Sequence, residues 1–301
     1  MPAVTINDVG PRDGLQNQSR ILEPVARVQL IRLLLAAGID HVEVGAFVSP
    51  KAVPAMAGAA EVLSGLADVV DGVLTVLVPN VRGYELAEAA GALSVCMVLY
   101  GSDAMAQANV RMPRERAENA AMEILQLARP AGVRVTAAVA VAFECPYEGK
   151  VDPGLVSHMA ERFLDIGVDE FCIADTIGAA NPLQVQKLTR SLADEHGPDR
   201  ISCHFHDTRA MGLANVYAAL ESGVRKFDAA VGGLGGCPFA PGASGNVATE
   251  DVVMMLEQMG FDTGIDLDKL MRASELASEL TGTAPGGRAS AWLKKSLGKR
   301  S

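Results

Sequence analysis

The chain has 301 residues, 49% of them hydrophobic, with 26 basic against 36 acidic side chains and a pI near 5.0. A formal charge of −10 argues against a nucleic-acid or anionic-membrane surface, both of which call for clustered cations. The apolar runs stop short of the roughly 20 residues a membrane-spanning helix needs, and the length suffices for one large core.

Read in chain order, short β-rich runs alternate with segments of helical period. The first strand is predicted over 4–9 and is followed by Gly10-Pro11-Arg12-Asp13-Gly14, which is not the G-x-G-x-x-G loop of a dinucleotide-binding sheet. Pro24 opens a helix that runs to Gly38, and a strand over 41–47 contains Glu43. Strands at 73–78 and 93–100 enclose a helix capped by Asn80 and ended at Gly91. Further strands are predicted over 133–143, 170–175, 201–207 and 226–231, with a helix from Asn181-Pro182 to Gly197. Eight strands alternating with helices predict a parallel (β/α)8 TIM barrel, and a doubly wound open sheet is the rival. The expected organisation is a catalytic barrel over 1–261 and a helical appendage with a basic tail over 262–301. Within the appendage a helix is predicted from Asp266 to about Thr281.

The first residues carry neither a secretory signal nor a transit-peptide pattern, and five cysteines without paired spacing suit a reducing compartment. A cytoplasmic protein is the expectation. Cys96, Cys172 and Cys203 lie in apolar runs and read as buried small hydrophobes, whereas Cys145 and Cys237 each precede a proline.

In a barrel of this kind, reactive groups collect at the C-terminal ends of the strands. Arg12 and Asp13 follow strand one, Glu43 lies in strand two, and Asp175 ends strand six. His204 and His206 sit near the end of strand seven, two residues apart, so that both imidazoles project to one face. Cys237 and Asn246 follow strand eight in a run with six glycines between 232 and 246. A carboxylate, two imidazoles and an amide oxygen, with positions left for water or substrate, describe an octahedral site for Mg²⁺ or Mn²⁺. Zinc fits less well, because no cysteine pair offers thiolates. Taken singly, a strand-end aspartate is more often a cap or ion-pair partner than a ligand.

Six segments taken together resemble the 3-hydroxy-3-methylglutaryl-CoA lyase family over residues 4 to about 261. They are Val9-Gly10-Pro11-Arg12-Asp13-Gly14-Leu15-Gln16-Asn17, Phe47-Val48-Ser49-Pro50-Lys51, Cys145-Pro146-Tyr147-Glu148-Gly149-Lys150, Asp175-Thr176-Ile177-Gly178, His204-Phe205-His206-Asp207-Thr208, and the glycine run through Asn246. The resemblance implies that Asp13, His204, His206 and Asn246 hold a divalent cation and that Arg12, Glu43, Asp175 and Cys237 act on an acyl-CoA substrate. It implies retro-Claisen cleavage of (S)-3-hydroxy-3-methylglutaryl-CoA to acetyl-CoA and acetoacetate, in a protein expected to form a homodimer. Gly236-Cys237-Pro238 favours a lyase over the condensing synthases and aldolases of the same barrel. Two departures, Arg209-Ala210 where the family usually has Tyr-Gly and Gln18-Ser19 where it often has Glu-Lys, leave open a related branched 3-hydroxyacyl-CoA such as an isohexenyl analogue. Arg209 either meets an additional substrate carboxylate or is a solvated cation at the barrel rim.

Overall fold

A computed structural model describes residues 1–236, 245–282 and 286–297. Strand β1 (Thr5–Asp8) leads through a single π-helical turn, Gly10–Gly14, to α1 (Pro24–Ala36) and β2 (His41–Ala46). Next come α2 (Ala59–Ser64), β3 (Val73–Val78), α3 (Val81–Ala89), β4 (Ser94–Tyr100), α4 (Asp103–Val110), α5 (Arg114–Ala128) and β5 (Arg134–Ala140). A small hairpin of β6 (Glu144–Cys145) and β7 (Gly149–Lys150) precedes α6 (Pro153–Ile166) and β8 (Glu170–Asp175). The remaining elements are α7 (Pro182–His196), β9 (Ile201–Phe205), α8 (Gly212–Glu221), β10 (Lys226–Ala229), α9 (Thr249–Gln258), α10 (Leu267–Thr281) and α11 (Ser290–Leu297).

The eight predicted strands close into one parallel barrel in the order β1-β10-β9-β8-β5-β4-β3-β2, and β1 completes the ring by pairing with both β10 and β2. The helix signals act where the sequence places them. Asn80 Oδ1 accepts from Gly83 N at 2.9 Å, and Asn181 forms a capping box with Gln184, so the first turns of α3 and α7 do not leave those amides bare.

Five strands end earlier than expected, and two of these endings bear on the site. The run over 133–143 stops at Ala140 because Val141 adopts a left-handed φ of 52°, an outlier for a β-branched residue, and the chain turns into the β6–β7 hairpin. The run over 201–207 stops at Phe205, and His206 instead forms an isolated antiparallel bridge with Asn246. The first event has no composition signal, since Val141-Ala142-Phe143 remains apolar, whereas the second coincides with the polar pair His206-Asp207.

Alternation along the strands sorts the side chains. In β5, Val135, Ala137 and Val139 are buried under the helices, while Arg134, Thr136, Ala138 and Ala140 face the barrel interior and line its cavity. The same parity turns Asn7, Glu43, Thr75, Cys96, Cys172, Ser202 and Asp228 inward. Barrels of this class usually fill their centre with bulky branched residues. Here the centre is small and polar, and a cavity of about 670 Å³ extends from the rim into the barrel.

The expected boundary at 261 falls between α9 and α10. Leu270, Ala273 and Ala277 of α10 belong to the same hydrophobic core as the barrel, and Asp266 N donates to Ala37 O at 2.8 Å. Among the described residues, no helix is long and apolar enough to cross a membrane.

Candidate active site

The π-helical turn after β1 sets the first part of the site. Pro11 fixes φ at the start of the turn, and Gly10 leaves space where a Cβ would lie 2.7 Å from Asp8 Oδ1. The turn presents Arg12 and Asp13 side by side at the mouth of the cavity. The Arg12 guanidinium is shared between two carboxylates. Its Nη1 lies 2.7 Å from Asp13 Oδ1, while Nη2 and Nε lie 2.6 and 2.8 Å from Glu43 Oε2. Burial works against the charge on Arg12, but Glu43 and Asp13 outweigh it and raise its pKa. Burial also opposes ionisation of Asp13, yet the charge of Arg12 and the hydrogen bond and charges of the two histidines hold its carboxyl well below the usual range. Glu43 behaves differently. Its burial pushes its pKa up despite Arg12, and among the described residues its Oε1 has no hydrogen-bond partner.

Opposite these groups, the imidazoles of His204 and His206 converge, with their Nε2 atoms 3.1 Å apart. His206 Nε2 is also 3.8 Å from Asp13 Oδ2. Two-residue spacing has therefore brought both rings to one face, although only His204 lies within β9. Asn246 arrives from after β10, and its Nδ2 donates to Asp13 Oδ2 at 2.9 Å and to Leu234 O at 3.0 Å. Among the described residues, the buried Oδ1 of Asn246 and Nδ1 of His206 have no partner.

These groups fit a divalent cation. Asp13, His204 and His206 each offer a ligand atom within 4.8 Å of the others. A low-pKa carboxylate, two convergent imidazoles and an adjacent orphan amide oxygen match a hard or borderline ion. A further group, missed in the sequence, orients one of them. Asp228 Oδ2 lies 3.1 Å from His204 Nδ1, and Asn7 Nδ2 donates to Asp228 Oδ1 at 2.8 Å. Burial disfavours the charged imidazole, but Asp228 outweighs it and raises the pKa of His204. A carboxylate on the far nitrogen of a metal-binding histidine fixes its tautomer and aim. The signal was present in the strand alternation, because β10 pairs Asp228 directly with His204.

The structure does not bring Asp175 to the cavity wall. Its two oxygens accept from Ala179 N at 2.8 Å and Ala180 N at 3.1 Å, closing the turn that follows β8, while its neighbour Thr176 lines the cavity. Burial raises its pKa against these two bonds. Asp175→Ala is expected to lower stability by about 2–3 kcal/mol, because two amides lose their acceptor. A lower midpoint in urea unfolding at unchanged slope is the check. Arg209 does not line the cavity; it pairs at the rim with Glu144 at 3.5 Å, with a half-exposed side chain. Cys237 lies outside the described residues.

Residues 3–277 match the family model described as HMGL-like. The chain belongs to the HMGL-like family. Its relatives include the (R)-citramalyl-CoA lyase of Chloroflexus aurantiacus, 45% identical over 94% of this chain and 92% of that protein. They also include the hydroxymethylglutaryl-CoA lyase of Pseudomonas mevalonii, 43% identical over 96% of each chain. Among solved structures, the hydroxymethylglutaryl-CoA lyase of Pseudomonas aeruginosa superposes on this HMGL-like barrel with a TM-score of 0.93 at 38% identity, covering 100% of this chain and 99% of that one.

Proposed function

We propose that this HMGL-like barrel is a divalent-metal-dependent carbon–carbon lyase that cleaves 3-hydroxy-3-methylglutaryl-CoA to acetyl-CoA and acetoacetate. One observation carries the reading, the convergence of Asp13, His204 and His206 beside a guanidinium clamped by two carboxylates at the mouth of a polar barrel cavity. Asp13, His204, His206 and Asn246 are the proposed ligands, and Mg²⁺ or Mn²⁺ is the proposed ion. When bound, the cation supplies Lewis-acid polarisation of the substrate oxygens.

In the cleavage the substrate hydroxyl loses its proton, the bond between the carbinol carbon and the thioester α-carbon breaks, and a ketone forms. The electron pair passes into a thioester enolate, which takes a proton at carbon to become acetyl-CoA. Arg12 is proposed to stabilise the enolate oxygen, because its guanidinium is rigidly aimed at the cavity mouth. Glu43 is the carboxylate suited to moving protons there, with an unpartnered oxygen and a pKa raised by burial. The geometry of Asp175 favours a positioning role at the rim over contact with substrate. Cys237 is proposed as the proton donor to the enolate on the strength of its place in the glycine run.

The second reading is cleavage of (R)-citramalyl-CoA, favoured by the 45% identity to a lyase of that name. The two substrates differ by one methylene between the carbinol carbon and the free carboxylate. A single methylene discriminates by roughly 10- to 200-fold. The purified protein assayed with each thioester and Mg²⁺ is therefore expected to show a kcat/KM for 3-hydroxy-3-methylglutaryl-CoA higher by a factor in that range. The inverse ratio would establish the second reading, and cleavage of neither would reject both.

A further inference from the structure

His206 and Asn246 are 40 residues apart in sequence, and they meet because a short run over 245–247 lies antiparallel to 205–207. Val247 N donates to Phe205 O at 3.0 Å, and Asp207 N to Gly245 O at 3.1 Å. Two backbone bonds alone make a weak ladder. One of its strands, the helix start that follows the other, and the stem at Gly232 that leads into the glycine run are gripped by one C-terminal segment.

The grip is made of specific contacts. Arg288 Nε donates to Asp207 Oδ2 at 2.6 Å, immediately after His206. Four and five residues beyond Asn246, Glu250 and Asp251 open α9 with buried carboxylates. Asp251 accepts from Arg288 N at 2.7 Å and Ala289 N at 2.9 Å. Glu250, fully buried, divides its oxygens. Oε2 accepts from Gly232 N at 3.0 Å, and Oε1 accepts from Ser274 Oγ at 3.2 Å and Ser290 Oγ at 3.3 Å. Gly286 lies so close to Gly232 O that a Cβ would not fit, and Gly232 and Gly233 hold φ of 67° and 62° beside it. Retaining two carboxylates without exposure is costly unless each is fully bonded, and these are bonded largely by the C-terminal segment.

We infer that residues 286–290 are a strap that positions the metal site, holding the His206 and Asn246 segments in register. Arg288 is its positioning residue on the His206 side, acting through Asp207, and Gly286 is its seat on the Gly232 side. The inference rests on the metal site proposed above, and it makes the C-terminal segment a working part of that site.

The test is the Kd for Mn²⁺ of metal-stripped full-length protein, measured by calorimetry together with the melting temperature of the same samples. Arg288→Ala is expected to weaken Mn²⁺ binding about fivefold, the upper end of what an ion pair of this exposure contributes. Gly286→Ala, which displaces backbone, is expected to weaken it about tenfold or more, as loss of groups behind metal ligands does elsewhere. Lys294→Ala, on the same C-terminal segment but paired with exposed Glu275, should keep the wild-type Kd. A merely structural strap would lower the melting temperature of Arg288→Ala and Gly286→Ala with no change in Kd, and that result would overturn the inference. Absence of Mn²⁺ binding by the wild type is a separate outcome, which would remove the metal site and the strap's role with it.

Discussion

Treatment with a chelator is expected to abolish lyase turnover, and Mg²⁺ or Mn²⁺ added back should restore it. The expectation comes from the chemistry of the donor set, in which Asp13 is held ionised, two imidazole Nε2 atoms lie 3.1 Å apart, and the Asn246 oxygen is buried without a partner among the described residues. Such groups are poorly arranged for one another and well arranged for a cation. The fold should survive the treatment. A barrel with a core reaching from Val4 to Ala277 draws its stability from apolar burial, unlike small domains whose folding energy comes from the metal. Circular dichroism should therefore be unchanged while activity disappears. Full activity in protein shown to be metal-free would sink the proposed site.

Replacing Arg12 by glutamine should lower kcat by about 10² to 10³, the usual cost of losing a donor to a developing oxyanion. KM is expected to move only a fewfold, because the charge that Arg12 meets is greatest in the transition state. The substitution leaves Asp13 and Glu43 near each other without their shared cation, so metal affinity should hold or increase. Arg12→Lys should not rescue the enzyme. A lysine has one ammonium, whereas the guanidinium reaches Asp13 with Nη1 and Glu43 with Nε and Nη2 at the same time. A change confined to KM in Arg12→Gln would show that the residue serves substrate binding alone.

Much of this site was legible in the sequence because barrels convert chain order into place. Strand alternation brought His204 and His206 to one face and turned Glu43 inward, and the end of β1 delivered Arg12 and Asp13 to the same mouth. What composition did not show was backbone direction. A valine at φ 52° ended β5 early, and no propensity announces that choice. Asp175 sat at the expected rim, yet its carboxylate was claimed by two amides of its own turn, a local competition that spacing cannot reveal. Asp228 was overlooked for the opposite reason. An acidic residue in a short strand reads as solvent-facing until the register with β9 places it against His204. The C-terminal segment read as an appendage because its partners, Asp207, Glu250 and Asp251, are more than 30 residues away.

The hydrogen bond from Asn246 to Asp13 spans 233 positions of the chain, across the seam where β1 meets β10. Every other pair joins strands that are consecutive among the eight of the barrel, so the seam is the contact that carries the largest entropy of loop closure. During synthesis the nascent chain can already have formed most of its ladder and still lack a complete set of the proposed cation ligands, since one wall of the site is made 233 positions before the opposite wall. Ion capture would then report on ring closure itself, giving a time stamp for the final folding step that no spectroscopic measure of helix or strand content provides.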